Sequence, residues 1–255
     1  MLGKSHSLVL AFASTVLQSA IAVAAPPSPE YRLIWQDEFN GTELDLDKWS
    51  YRYLGPRRGG INAEDAIVLN GKGFLEIVTS EVGDEFHTGM IGTQDKFEAR
   101  YGYWETRVRL QEEPGHWFAF WLQSPDMRPT ETPGDPATMG AEIDVVEYPA
   151  IWFNDVLQTV IWGGYGHGSS ASQRTTIPGL NDGFHTFGVE WTEDEYIFYV
   201  NDRETWRTSQ GLSHRPQYVI LSLEVAENPE GWVGDVADGE FPDRVVVDYV
   251  RVYQK

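Results

Sequence analysis

The chain has 255 residues, 19 Lys and Arg against 39 Asp and Glu, a formal net charge of −20, and no cysteine. An acidic surface of this kind repels nucleic acid and anionic lipid, and a chain without Cys draws nothing from disulfides. Ten Trp, 12 Tyr and 12 Phe supply both core volume and flat apolar faces of the sort a sugar ring stacks on.

Met1 to Ala25 reads as a secretory leader. Lys4 precedes the apolar run Leu8-Val9-Leu10-Ala11-Phe12, and the small residues Ala22-Val23-Ala24 place cleavage near Ala24 or Ala25. The competing reading, a membrane anchor, needs about 20 apolar residues; Ser14, Thr15, Gln18 and Ser19 interrupt this run. Loss of Lys4 leaves 18 basic and 39 acidic residues, a net charge of −21. Residues 26–255 then form one domain, exported to the extracellular space or periplasm and monomeric.

Short alternating runs follow. Strands are predicted at Arg32 to Trp35, Ala66 to Leu69, Phe74 to Val78, Tyr101 to Leu110 and Trp117 to Gln123. Later ones fall at Leu157 to Trp162, His185 to Trp191, Tyr196 to Val200, Tyr218 to Val225 and Arg244 to Tyr253. Asn70-Gly71-Lys72-Gly73 and Asn201-Asp202 are the turn signals. With no long helical period and no repeat, the expected fold is all-β, a two-sheet sandwich or jelly roll. Pro125 to Gly140 is the one long irregular segment; loops of that length are usually functional or mobile.

That segment leads into Gly140-Ala141-Glu142-Ile143-Asp144-Val145-Val146-Glu147-Tyr148. Strand side chains alternate, so Glu142 and Asp144 share a face while Ile143 and Val145 turn to the core. Glu147 has the wrong parity, and a buried unpaired carboxylate costs several kcal/mol. A bulge at Val145-Val146 restores it to the face of Glu142. Cleavage of a glycosidic bond with retention needs a carboxylate nucleophile and a carboxylic acid about 5–5.5 Å apart. The two Cα atoms would lie about 13 Å apart on a flat strand, so a concave sheet and long Glu side chains must close the gap. The alternative is a solvated acidic strand on the outer face; the parity break, which needs a bulge, and the apolar flanking residues weigh against it.

Glu142 to Glu147 resembles the signature of glycoside hydrolase family 16 in its bulged form. Trp35-Gln36-Asp37-Glu38-Phe39-Asn40-Gly41 with Leu46-Asp47-Lys48-Trp49, Tyr101 to Arg107 ("YGxxExR"), Trp117 to Leu122 ("WxAFWL"), Phe184 to Phe187 with Glu190-Trp191, and Val247 to Tyr253 resemble further segments of that family in the right order. The resemblance spans Tyr31 to Tyr253. It implies a concanavalin-like jelly roll with a concave cleft and retaining, endo-acting hydrolysis of a β-1,3- or β-1,4-linked glucan or galactan, laminarin type first. Glu142 would be nucleophile, Glu147 acid/base and Asp144 their helper. Trp117 would be a sugar platform; Trp121 is either a second platform or core.

The chain departs from the family at Thr159-Val160-Ile161-Trp162, where many laminarin-cleaving relatives carry "TVH". Ile161 stands at the histidine position, and Trp162 is expected to supply stacking instead. Arg57 and Arg58 occupy a predicted rim loop, either as contacts for a charged galactan or as a solvated pair. The resemblance also implies a structural Ca²⁺ held by Glu38, the Gly73 carbonyl and Asp248, with no cofactor for catalysis. His167 sits in a loop, either inert or facing substrate, and His185 is expected to be a hydrogen-bonded structural residue. A transglycosylase, or a silent polysaccharide-binding protein on the same fold, remains open. The three intact acids discriminate against the silent one.

Overall fold

The computed structural model of the chain describes residues 26–166 and 168–255; the leader read in residues 1–25 and His167 lie outside the described residues. All the predicted strands form, with ends shifted by no more than two residues except that Phe74 to Val78 becomes Leu75–Val82, four residues longer at its end. The Asn70 hairpin pairs Ile67–Leu69 with Leu75–Val82, and Asn70 N donates to Phe74 O at 3.3 Å. The second turn puts Asn201 and Asp202 at φ 50° and 61°, the conformation a two-residue hairpin asks of its central pair, and it joins Tyr196–Val200 to Arg203–Thr208.

Two antiparallel sheets face each other. In the outer sheet Asp243–Gln254 is central. It pairs with Arg32–Asp37 and Leu75–Val82 on one side and Gly102–Arg109 on the other. His185–Trp191, Tyr196–Val200 and Arg203–Thr208 follow outward. The cleft sheet runs in the order Ser50–Tyr51, Glu85–Gly92, Tyr218–Val225, His116–Gln123, Ala141–Pro149, Asp155–Trp162, Ser169–Thr176. One core joins them: Phe118, Phe120, Leu122 and Ile143 of the cleft sheet pack with Trp104, Val108, Phe187 and Val250 of the outer sheet. The chain is the expected all-β jelly-roll sandwich.

The N-terminal motif is an anchor for this core. Trp49 is fully buried and its indole N–H donates to Asp37 Oδ2 at 2.8 Å, while Phe39 N donates to Asp37 Oδ1 at 3.0 Å. Trp35 packs edge-on against Trp49 with ring centroids 5.5 Å apart. Strands the sequence did not announce are the polar or glycine-broken ones. Ser169–Thr176 pairs on one side only and is largely exposed, so no apolar alternation marks it. In Glu85–Gly92, Gly89 backs onto Ile67, whose Cδ1 would lie 2.6 Å from an added Cβ.

The 125–140 segment holds one short helix, Pro136–Met139, capped by Asp135. Its exit, Gly140, sits at φ 84°, and a Cβ there would lie 2.1 Å from Ser124 Cβ. Only glycine lets the chain enter the next strand at this angle, and that strand begins with Ala141 and Glu142. Among the described residues no helix is long and apolar enough to cross a membrane.

Candidate active site

Ala141–Pro149 lies between His116–Gln123 and Asp155–Trp162. Opposite His116–Gln123, Asp144 pairs with Trp121 and Val146 with Phe120, so Val145 is the extra residue. Opposite Asp155–Trp162, Asp144 pairs with Thr159 and Glu147 with Leu157. Ile143, Val145 and Val146 are fully buried in the core. The bulge therefore brings Glu142, Asp144 and Glu147 to one face, where they line a cleft of about 240 Å³.

Residues opposite them on His116–Gln123 share that face. Pro149 pairs with Trp117, Glu147 with Ala119, Asp144 with Trp121 and Glu142 with Gln123. That strand is regular against Tyr218–Val225, which settles the place of Trp121. It lines the cleft floor with Ala119, and its indole N–H donates to Ser222 Oγ at 3.2 Å. Trp117 is flanked by the Arg58 guanidinium, 5.2 Å from its ring centroid, and by the half-exposed Trp232, 5.6 Å away.

The carboxyl groups sit in unlike surroundings. Glu142 Oε2 accepts from the Tyr165 hydroxyl and from Gln123 Nε2, the latter at 3.2 Å. Burial pushes its pKa up, and both donors pull it back. Glu147 is pushed up to about 7, first by burial and then by the negative charges of Glu142 and Glu224; Arg58 and a hydrogen bond from Trp117 oppose this. Asp144 is 6% exposed, and burial with Glu142, Glu147 and Glu224 around it holds its carboxyl well above the usual range. Asp144, between two glutamates, thus keeps its proton more readily than an ordinary carboxyl, and Glu147 is poised to give or take a proton.

Arg57 and Arg58 line the same cleft, but neither is a free cation. Both converge on the buried Glu224. Arg58 Nε donates to its Oε2 at 2.8 Å; Arg57 Nε lies 2.9 Å from the same oxygen without hydrogen-bond alignment. The loop is stapled in place: Gly59 N donates to Val225 O at 3.1 Å, and a Cβ on Gly59 would lie 1.9 Å from Ala226 O.

Two expectations need correction. Trp162 does not face the cleft. Ile161 pairs with Glu142 and shares its face, so its neighbour in the strand must point the other way. The Trp162 ring lies against Gly211, where an added Cβ would meet it at 2.4 Å. The calcium set does not fit either. Glu38 is bound through both oxygens by Arg251 at 2.7 and 2.9 Å, and Asp248 pairs with Arg107. Gly73 lies near Asn40 and the Glu38 carbonyl. His185 is half-buried, and its Nδ1 hydrogen-bonds Asn201 at 2.9 Å.

The cleft also contains residues that the motifs did not point to. Gln123 follows from strand parity with Trp117 and Trp121. Glu224 is the lone acid in the fully buried run Tyr218–Val225, which is itself a signal. Tyr165 had none, because a glycine-rich loop carries no period.

Residues 37–251 match the profile of the glycosyl hydrolases family 16. The chain is 30% identical over 198 residues to an endo-1,3-1,4-beta-glycanase of Rhizobium meliloti (strain 1021), covering 74% of this chain and 38% of that protein. It is 30% identical over 253 residues to a beta-glucanase of Rhodothermus marinus, covering 89% of this chain and 86% of that one. The solved laminarinase from Flavobacterium sp. UMI-01 superposes with a TM-score of 0.73 at 25% identity, covering 88% of this chain and all of the other. The chain spans 36–40% of the length of the first curated relatives it matches. The bulged Glu-Asp-Glu strand, its cleft and these likenesses agree: the chain belongs to family 16 of the glycosyl hydrolases.

Proposed function

We propose that the protein is a retaining endo-β-glycanase that hydrolyses an uncharged β-glucan with β-1,3 or β-1,4 linkages. One observation carries the reading: the bulge delivers two glutamates to one cleft face in unlike environments. Glu142 is met by two hydrogen-bond donors, and Glu147 is held near pH 7. In the first step a Glu142 oxygen attacks the anomeric carbon while Glu147 gives its proton to the departing glycosidic oxygen. In the second, Glu147 takes a proton from water, the water oxygen attacks the same carbon, and Glu142 leaves. Asp144 lies between them with its carboxyl pushed toward the protonated form, which limits the negative charge the cleft must hold.

Substrate charge follows from the same geometry. Glu142, Asp144, Glu147 and Glu224 share the cleft with Arg57 and Arg58, and both arginines are engaged by Glu224. Among the described residues, both cations that line the cleft are paired with Glu224, which favours a neutral polymer over carrageenan- or porphyran-type galactans. The relatives named for 1,3-1,4-β-glycanase and β-glucanase activity support the same choice. A polymer of that size is met outside the cell, and the leader read in residues 1–25 supports export.

A reducing-end assay across laminarin, lichenan, agarose, porphyran and carrageenan, with the first product anomer read by ¹H NMR, tests the proposal. Cleavage of laminarin or lichenan with β-anomer released first is expected. Cleavage of the sulfated galactans alone, or α-anomer first, contradicts it.

A further inference from the structure

Glu142 and Glu147 are the same amino acid, yet double displacement requires one to attack as an anion and the other to begin as an acid. The structure supplies the asymmetry through a chain of donors. Arg52 Nη2 donates to Tyr218 OH at 3.2 Å, Tyr218 OH donates to Gln123 Oε1, and Gln123 Nε2 donates to Glu142 Oε2. The direction is forced. A guanidinium only donates, so the Tyr218 oxygen accepts from it and the Tyr218 proton points onward. The Gln123 carbonyl must then face Tyr218 and its NH₂ must face Glu142. Arg52 is itself fixed by Gln94 at 2.9 Å and by stacking on the Tyr218 ring, 4.9 Å from the centroid.

Tyr165 supplies the last link, and it comes from outside the cleft sheet. Its backbone N donates to Arg128 O at 3.2 Å. Gly164 before it sits at φ 93°, and a Cβ there would lie 2.4 Å from Thr130 Oγ1 and 3.0 Å from Arg128 O. The Gly163 carbonyl accepts from Gly134 N at 2.9 Å and from Thr130 Oγ1 at 3.3 Å. The long irregular segment between Pro125 and Gly140 thus buttresses the turn that aims one hydroxyl at one carboxylate.

We propose that Tyr165 is the positioning residue that makes Glu142, and not Glu147, the attacking carboxylate, with the Arg52–Tyr218–Gln123 chain orienting its partners and the 125–140 segment as its mount. The proposal rests on the glycanase reading above and deepens it. The other charged groups around Glu142 do not select it: Asp144 and Glu147 on its own strand are acids and offer it no cation, Glu224 from Tyr218–Val225 disfavours an anion there, and Arg58 acts on Glu142 and Glu147 alike.

The test is the titration of the Glu142 carboxyl in the substrate-free protein. It is read by ¹³C NMR with selectively labelled glutamate and assigned through Glu142→Gln. Hydrogen bonds to a charged acceptor of this kind hold a carboxylate's pKa down by about one to two pH units. In Tyr165→Phe the Glu142 titration should rise by that amount, and the acidic limb of kcat/KM on β-glucan should rise with it while KM stays within about twofold. Gly164→Ala, which displaces the turn without touching Tyr165, should move both readouts the same way and stands in if Tyr165→Phe does not fold. An unmoved Glu142 titration in the folded variants overturns the proposal. A wild type that cleaves no glucan while the titration still moves overturns the proposed function and upholds the positioning role.

Discussion

Glu147→Gln should destroy activity and yet make the protein more stable above neutral pH. The Glu147 carboxyl is raised from 4.5 to about 7 by burial and by Glu142 and Glu224. A carboxyl raised on folding binds protons more tightly in the folded state. Its contribution therefore erodes as pH climbs from the unfolded pKa through the folded one, and the full penalty applies above pH 7. The shift from 4.5 to about 7 corresponds to about 3 kcal/mol. Residual contact with water reduces this to about 2 kcal/mol. Glutamine keeps the shape of the neutral acid and cannot ionise. Calorimetric melts at pH 8 should show Glu147→Gln melting about 4–8 °C above wild type, with the difference nearly gone by pH 4. A gain of equal size at both pH values, or none at pH 8, would refute the argument that a strained carboxyl is stored in the cleft.

The same electrostatics set the rate profile. With Glu147 near 7, kcat/KM should fall on the alkaline side with a limb near pH 7. Glu224→Gln removes a charge that raises Glu147 and frees Arg57 and Arg58, so this limb should move to lower pH by about half a unit or more; an upward move speaks against the assignment. Glu142→Gln should abolish turnover while melting temperature and polymer retention in affinity gels stay near wild type. Gly59→Ala should cost about 2 kcal/mol or more in denaturant unfolding, because the added Cβ meets Ala226 O at 1.9 Å; a neutral result would show that the loop is not stapled as described.

The catalytic strand was readable because its anomaly was local. Three acids interleaved with Ile and Val fix a parity, and Glu147 breaks it by one residue, which only a bulge repairs. Buried strands such as His116–Gln123 were equally plain, since their apolar runs are continuous. Polar edge strands such as Ser169–Thr176 were not, because water satisfies their outer face and nothing in the pattern demands a sheet. Ile161 and Trp162 show how adjacency misleads: neighbours in sequence occupy opposite faces in a strand, so Trp162 packs on Gly211 instead of replacing a cleft histidine. Glu38 and Asp248 matched a metal pattern by position, but their guanidinium partners Arg251 and Arg107 are distant in sequence. Tyr165 meets Glu142 only after a loop folds back over the sheet, a contact no sequence period encodes.

Identification of the residue that bonds to sugar probes the account at its centre. Incubation with an activated 2-deoxy-2-fluoro β-glycoside slows release of the intermediate more than its formation, and peptide mass spectrometry then locates the adduct. A glycosyl ester on Glu142 is the predicted outcome. An ester on Glu147, or turnover with no adduct and an inverted product, would contradict it.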